Sequence, residues 1–374
     1  MKKAIFMLLA ASMIFCGAGR TDETPHDMAY VLMEADTRTV LDGSNENVHM
    51  NAGYLTKLMT ILLAAEDIET GKYSLDDELT ASDSVSGMKG AVVWLESGDK
   101  MTVDELLKSV IVGNANDAAA VLAEASERTT DDFVKRMNSE AFDLGLRNTA
   151  FYSPYGSGNE GSYTTAHDLA VICCQLTKYD FLRPYFCTWR DFVKGDKVEL
   201  VNENKLSQNY EMHIGFKASH SAESGYCIAE GGVNSEGTAC IAVVLGADDE
   251  DTSFSTAKKL LKKGCSEYTV TPTMFPDEMM KPLRIKNGEK TAVELAVERQ
   301  WKFAAPKSEK RIRTVVVLPE YADAPVKRGQ RVGTAAFYVG ETMVYESPII
   351  VKNNIERLSL KYIVLKMLAK VTEK

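Results

Sequence analysis

The chain has no Cys-x-x-Cys pair, and its five histidines stand at no zinc-like spacing from its cysteines. No metal site and no thioredoxin-type redox motif are therefore expected. Positive charge is not in excess: 43 Lys and Arg face 53 Asp and Glu, a formal net charge of −10, which argues against nucleic acid as a partner. No apolar run reaches the ~20 residues that a membrane-spanning helix needs. There is no internal repeat, no low-complexity tract and no motif that calls for a cofactor. What is left is the composition of an ordinary globular chain, whose 374 residues suffice for two domains at roughly 150 residues each.

The first residues read as a targeting segment. Lys2 and Lys3 precede an apolar run from Ala4 to Phe15, followed by the small residues Gly17, Ala18 and Gly19. That pattern predicts a signal peptide over residues 1–19, cleaved after Ala18 or Gly19, and a mature protein that works outside the cytoplasm. Bulky Phe15 before Cys16 speaks against a lipid-modified cysteine. Cys173, Cys174, Cys187, Cys227, Cys240 and Cys265 follow the leader. Cys227 and Cys240 fall on neighbouring strand patterns, which leaves one disulfide to look for.

Two textures follow. Residues 24–270 mix helix and strand patterns. In "MTVDELLKSVIV", Thr102 and Glu105 form a capping-box pattern ahead of an apolar face. "TTDDFVKRMNSEAFDLGL" carries a helical stripe and stops at Gly145, "TAHDLAVICCQL" starts a helix at Thr165 and Asp168, and "FSTAKKLLKKG" reads as a helix stopped by Gly264. "GYCIAEGGVNSEGTACIAVVLGA" predicts two strands around a turn. Helices around an antiparallel sheet make this an α+β domain. Residues 275–352 show short strands broken by Asn287-Gly288, Pro306, Pro325 and Gly340-Glu341, a small all-β module. Residues 353–374 form an amphipathic helical pattern with Lys361, Lys366 and Lys370, suited to lie on a membrane surface or to pack on its own domain.

Three stretches in the first domain belong together. Tyr54-Leu55-Thr56-Lys57 opens a helix, Asn114-Ala115-Asn116 joins two helices, and Lys217-Ala218-Ser219 lies on a strand before a hairpin. Their order and separations resemble the S-x-x-K, S-x-N and K-T-G motifs of penicillin-binding proteins. More narrowly, the chain resembles the low-molecular-weight D-alanyl-D-alanine carboxypeptidases (peptidase S11-like). The likeness extends to "AYVLMEADTRTVL", "MNSEAFDLGLRNTAFYSPYG", "YTTAHDLAVI" and "CIAVVLGA", and so runs over nearly the whole mature chain. It implies a penicillin-binding-protein/β-lactamase-like transpeptidase domain and a role in peptidoglycan metabolism. It also implies a stem peptide ending in D-Ala-D-Ala as ligand, and a place at the outer face of the cytoplasmic membrane.

The resemblance also assigns roles. The family's first-motif serine attacks the peptide carbonyl while the motif lysine takes its proton. The second-motif serine helps move that proton, its asparagine holds the substrate amide, and the third motif binds the terminal carboxylate. Carried over, Lys57, Asn116 and Lys217 keep the family's residue type, and His220 stands where a backbone N–H would complete the oxyanion hole. The nucleophile position is Tyr54. Asn114 replaces the shuttle serine and lacks a hydroxyl, Ala218 replaces a carboxylate donor, and Ser219 replaces a glycine where substrate backbone approaches. A phenol reaches several ångströms further from the backbone than a serine hydroxyl, whereas attack needs about 3–3.5 Å and alignment. Loss of the nucleophile alone costs on the order of 10⁶ in rate in a serine hydrolase.

The expectation is a pseudoenzyme that binds stem peptides or an envelope protein. A working carboxypeptidase with an unusual site and an assembly protein with a vestigial cleft are the rivals. Plainer roles stand beside these: Lys57 as a buried amine on Asn114 or a carbonyl, Asn116 as a helix cap, Lys217 as a solvated edge-strand lysine. His167 and His213 show no partner pattern, and Trp94 and Trp189 read as core or rim residues.

Overall fold

A computed structural model describes residues 28–364 apart from 157–160, 273–279, 300 and 310. The leader and residues 365–374 of the tail lie outside the described residues. Among the described residues no helix is long and apolar enough to cross a membrane.

The first domain is built on five antiparallel strands: β1 (Ala29–Glu34), β2 (Val40–Ser44), β3 (His213–Ser221), β4 (Gly225–Val233) and β5 (Ala239–Ala247). They lie in the order β2-β1-β5-β4-β3, so β3 is an edge strand. The continuous apolar run of β5 has a direct cause, since both of its faces are covered. Ile241, Val243 and Leu245 enter one core cluster, and Cys240, Ala242 and Val244 enter the other. Helices α1 (Lys57–Glu69), α2 (Val103–Ile111), α3 (Asn116–Glu127), α4 (Thr130–Asp143) and α5 (Ala166–Leu176) fill the first cluster. Helix α6 (Glu250–Glu267) covers the opposite face through Ala257, Leu260 and Leu261. Each buried Leu, Ile or Val among them contributes about 1.5–3 kcal/mol by leaving water.

The helix starts follow the local chemistry. Thr102 Oγ1 accepts from Glu105 N–H at 3.2 Å while Glu105 accepts from Thr102 N–H, the reciprocal box expected there. Thr165 Oγ1 accepts from Asp168 N–H at 3.0 Å. Helix α4 stops just before Gly145.

One expectation needs correction and one open possibility is closed. Gly264 does not stop the last helix, which runs on to Glu267. A Cβ at 264 would lie 2.7 Å from Cys240 Sγ, so the glycine lets α6 approach the sheet closely. Cys227 and Cys240 do not pair either: all six cysteines of the described residues are free. Cys240 sits opposite Gly232, whereas Tyr226, beside Cys227, sits opposite Ala247. The two cysteines are thus at opposite ends of one ladder, beyond the ~7 Å between Cα atoms that a disulfide spans.

Beyond α6 the described chain is β-strand and loop as far as Ile355 and Arg357, which still bridge to Val326 and Gly288. The expected helical tail therefore begins only at Leu360. Leu283–Lys286 pairs with Ala292–Val293 and Tyr321–Asp323. Leu295–Val297, Thr342–Val351, Arg331–Val339 and Ile312–Val317 form a four-stranded sheet, turning at Gly340-Glu341. Leu283, Ile285, Val326, Ile349 and Ile355 share a separate core.

Candidate active-site cleft

The three sequence motifs converge where α1, the α2–α3 junction and β3 meet. A 3-10 turn, Gly53–Thr56, leads into α1 and carries Tyr54. One turn on, Lys57 is fully buried. Its Nζ donates to Tyr155 O at 2.9 Å and lies 4.5 Å from the centre of the Tyr54 ring. The ammonium therefore rests on the aromatic face, a cation–π contact. Burial, and then the neighbouring Lys217 charge, hold the Lys57 amine well below the usual lysine range, against the raising effect of Glu203 and Asp117.

Asn114 takes a positive φ of 55° at the junction between α2 and α3. Its Nδ2 donates to Glu203 Oε1 at 3.2 Å. Asn116, the first residue of α3, donates from Nδ2 to Lys89 O at 2.8 Å and from its backbone N–H to Ala91 O at 2.7 Å. Buried Asp117 accepts from Val93 and Leu95 N–H at 3.0–3.1 Å. Together these bonds bind the strap Lys89–Leu95 across the helix start. Gly90 in that strap has φ +90°, and a Cβ there would meet Asn116 Nδ2 at 2.7 Å and Tyr54 Oη at 3.6 Å. The strap thus passes closely over both groups. Trp94, at φ +54° and 69% exposed, is turned outward at the rim.

Lys217 lies on an edge strand but is only 2% exposed. Its Nζ donates to Val110 O at 2.9 Å and Ile111 O at 3.0 Å. These carbonyls end α2, where the helix dipole favours a cation. Burial lowers the Lys217 amine to about 8, Glu203 opposing. Ala218 packs with Ile228 and Leu206 in the cluster under α6. Ser219 Oγ is buried without a protein partner, and exposed His220 stacks on Tyr226 at 4.1 Å. An open groove of about 800 Å³ beside the turn is lined by His49, Asn51, His220, Glu223 and Ser224.

A sequence profile described as D-alanyl-D-alanine carboxypeptidase matches residues 20–249, and one described as penicillin-binding protein 5, C-terminal domain, matches 268–357. The chain belongs to the D-alanyl-D-alanine carboxypeptidase family. It is 30% identical to the D-alanyl-D-alanine carboxypeptidase DacF of Bacillus subtilis, over 90% of this chain and 88% of that one. It is 29% identical to DacC of Escherichia coli, over 94% and 90%. Its fold matches penicillin binding protein 5 from Haemophilus influenzae with a TM-score of 0.80 at 24% identity, covering 89% of this chain and 99% of that one. The penicillin-binding-protein-like α+β fold with its C-terminal β domain, and the family's peptidoglycan role, follow from these likenesses.

In this carboxypeptidase-type cleft, sequence reasoning missed Glu203, Asp117 and the Tyr155 carbonyl. Asp117 had one signal, a lone acid at the start of a helix otherwise apolar through Leu122. Glu203 had none, since an acid between two asparagines on a loop looks like solvated surface. His213 was also misjudged. It is buried against Glu230, with Nδ1 2.6 Å from Oε1.

Proposed function

We propose that this chain is a catalytically inactive carboxypeptidase homologue of the cell wall that binds peptidoglycan stem peptides, or an envelope protein offering a similar peptide, without cleaving them. The observation that supports this most directly is the placing of Lys57. Its amine faces the Tyr54 ring and the Tyr155 carbonyl, whereas a general base must sit within hydrogen-bond reach of the group it deprotonates. Asn114 has no hydroxyl to relay a proton. Lys217, turned to the end of α2, contributes to the shape and charge of the cleft. The leader and the lysine-bearing tail fit a place outside the cytoplasm at the membrane surface.

A labelled β-lactam incubated with the purified chain, followed by intact-mass measurement, is expected to leave the protein unmodified, and no D-alanine should be released from a D-Ala-D-Ala peptide. An adduct on Tyr54, or released D-alanine, would favour the active-enzyme reading. Tyr54→Ser alone should restore less than about one-thousandth of a serine hydrolase's rate, because groups acting as a unit fail as a unit. Isolated peptidoglycan should retain the protein in a pull-down; no retention removes the stem-peptide half of the proposal.

A further inference from the structure

The hydrogen-bonding inventory of the cleft has a definite polarity. Asn116 Nδ2 meets a backbone carbonyl and Asn114 Nδ2 meets a carboxylate. Neither partner can donate, so the orientation of both amides is fixed by chemistry. The two Oδ1 atoms are therefore the ones left over, and both are buried without a protein partner, as is Ser219 Oγ. Asn114 and Asn116 are 3% and 0% exposed, and Ser219 is 5% exposed. The lysines are turned the other way, Lys57 to Tyr155 O and Lys217 to Val110 O and Ile111 O. The cleft thus directs its side-chain donors into the protein and leaves acceptors open. Only hydroxyls such as those of Ser219 and Tyr54 can serve in either sense. Glu203, whose carboxylate reaches Asn114 and whose charge is felt at Lys57 and Lys217, adds a negative group to the same cleft.

Resting on the reading that the cleft binds a peptide, we propose that it takes a peptide ending in a primary carboxamide in preference to one ending in a carboxylate. A carboxylate offers acceptors only, to acceptors and to the Glu203 charge, and the lysine donors that could bind it are already held by backbone carbonyls. A carboxamide is neutral and offers two N–H donors, enough to meet Asn114 Oδ1 and Asn116 Oδ1. A cationic end would satisfy the acceptors too, but Lys217, with Lys57 beside it, disfavours a second positive charge. The preference is the kind a polar site imposes by leaving its groups unpaired against the wrong ligand. In the state described, the acceptors are enclosed, and the strap at Gly90 lies close to both the Asn116 amide and Tyr54 Oη. A ligand reaches them when the strap at Gly90 and the neighbouring Tyr54 ring give way.

The test compares N-acetyl-D-alanyl-D-alanine with N-acetyl-D-alanyl-D-alaninamide by calorimetry at pH 7 on the full chain. The amide is expected to bind at least tenfold more tightly. Tyr54→Ala should tighten it further by removing the ring beside the strap that passes over Asn116. Glu203→Gln removes the negative charge and brings an amide that can pair with Asn114 Oδ1, so acid binding should improve several-fold and amide binding weaken, narrowing the preference. Equal binding, or tighter binding of the acid, would overturn the polarity argument while leaving a peptide-binding cleft. If neither peptide binds even to Tyr54→Ala, the peptide-binding reading falls, and this preference with it.

Discussion

The two halves of β3 treat buried polar groups in opposite ways. At its start, His213 Nδ1 meets Glu230 Oε1 at 2.6 Å and Nε2 meets Phe186 O at 3.3 Å. Asn204 Nδ2 donates to Glu230 Oε2 at 2.5 Å, and Asn204 Oδ1 accepts from Leu206 N–H at 3.1 Å. Both ring nitrogens face acceptors, which suits an imidazolium. Burial works to lower the His213 pKa, but the hydrogen bond and charge of Glu230 outweigh it and leave it raised. Further along, around Lys217 and Ser219, the neighbouring amides and hydroxyl keep open acceptors. An unpaired buried polar atom costs about 1–3 kcal/mol. One half of the strand is closed and self-sufficient; the other keeps buried acceptors without a protein partner.

The largest effect should come from breaking the closed half. Glu230→Ala leaves His213 buried without its counter-charge and is expected to cost about 3–5 kcal/mol in urea unfolding. A loss below about 1 kcal/mol would erase the distinction between the halves. A smaller change of opposite sign is expected in the open half. Asn114→Gly suits the positive φ and removes an unpaired acceptor, so the chain should gain about 0.5–1 kcal/mol. A loss instead would mean that the Glu203 contact holds the junction together.

The mildest effect is a slope with pH. The Lys217 pKa is lowered to about 8 from an ordinary 10.5, so between those values the unfolded chain binds the proton that the folded chain has shed. Stability should therefore rise with pH across that window. Lys217→Met should lose part of the rise, and Lys57, shifted in the same direction, should keep the remainder. An unchanged slope in the variant would place the shift elsewhere.

Much of the scaffold was legible from local signals. The Thr102 and Glu105 box, the Thr165 start and the hairpin after Gly225 depend on neighbours a few residues away, and short-range geometry decides them. Gly264 was misread because its role depends on Cys240, on a strand that only the fold brings near. The open question of a Cys227–Cys240 disulfide was left undecided for a related reason: neighbouring strands are readable in a sequence, but the register between them is set by the packing of both faces. In the cleft, residue types and order marked the Tyr54, Asn114 and Lys217 motifs. What their side chains do with their hydrogen bonds was not marked at all.

By itself, the order of residues determined which family of folds this chain joins and that a tyrosine, not a serine, stands three residues before Lys57. Side-chain chemistry at a given position is a local fact. Only the tertiary structure decided that the lysines turn inward, that two amides present their oxygens, and that Glu203 reaches the same cleft. Those outcomes depend on burial and on partners roughly thirty to a hundred residues away, and such distances exist only once the chain has packed.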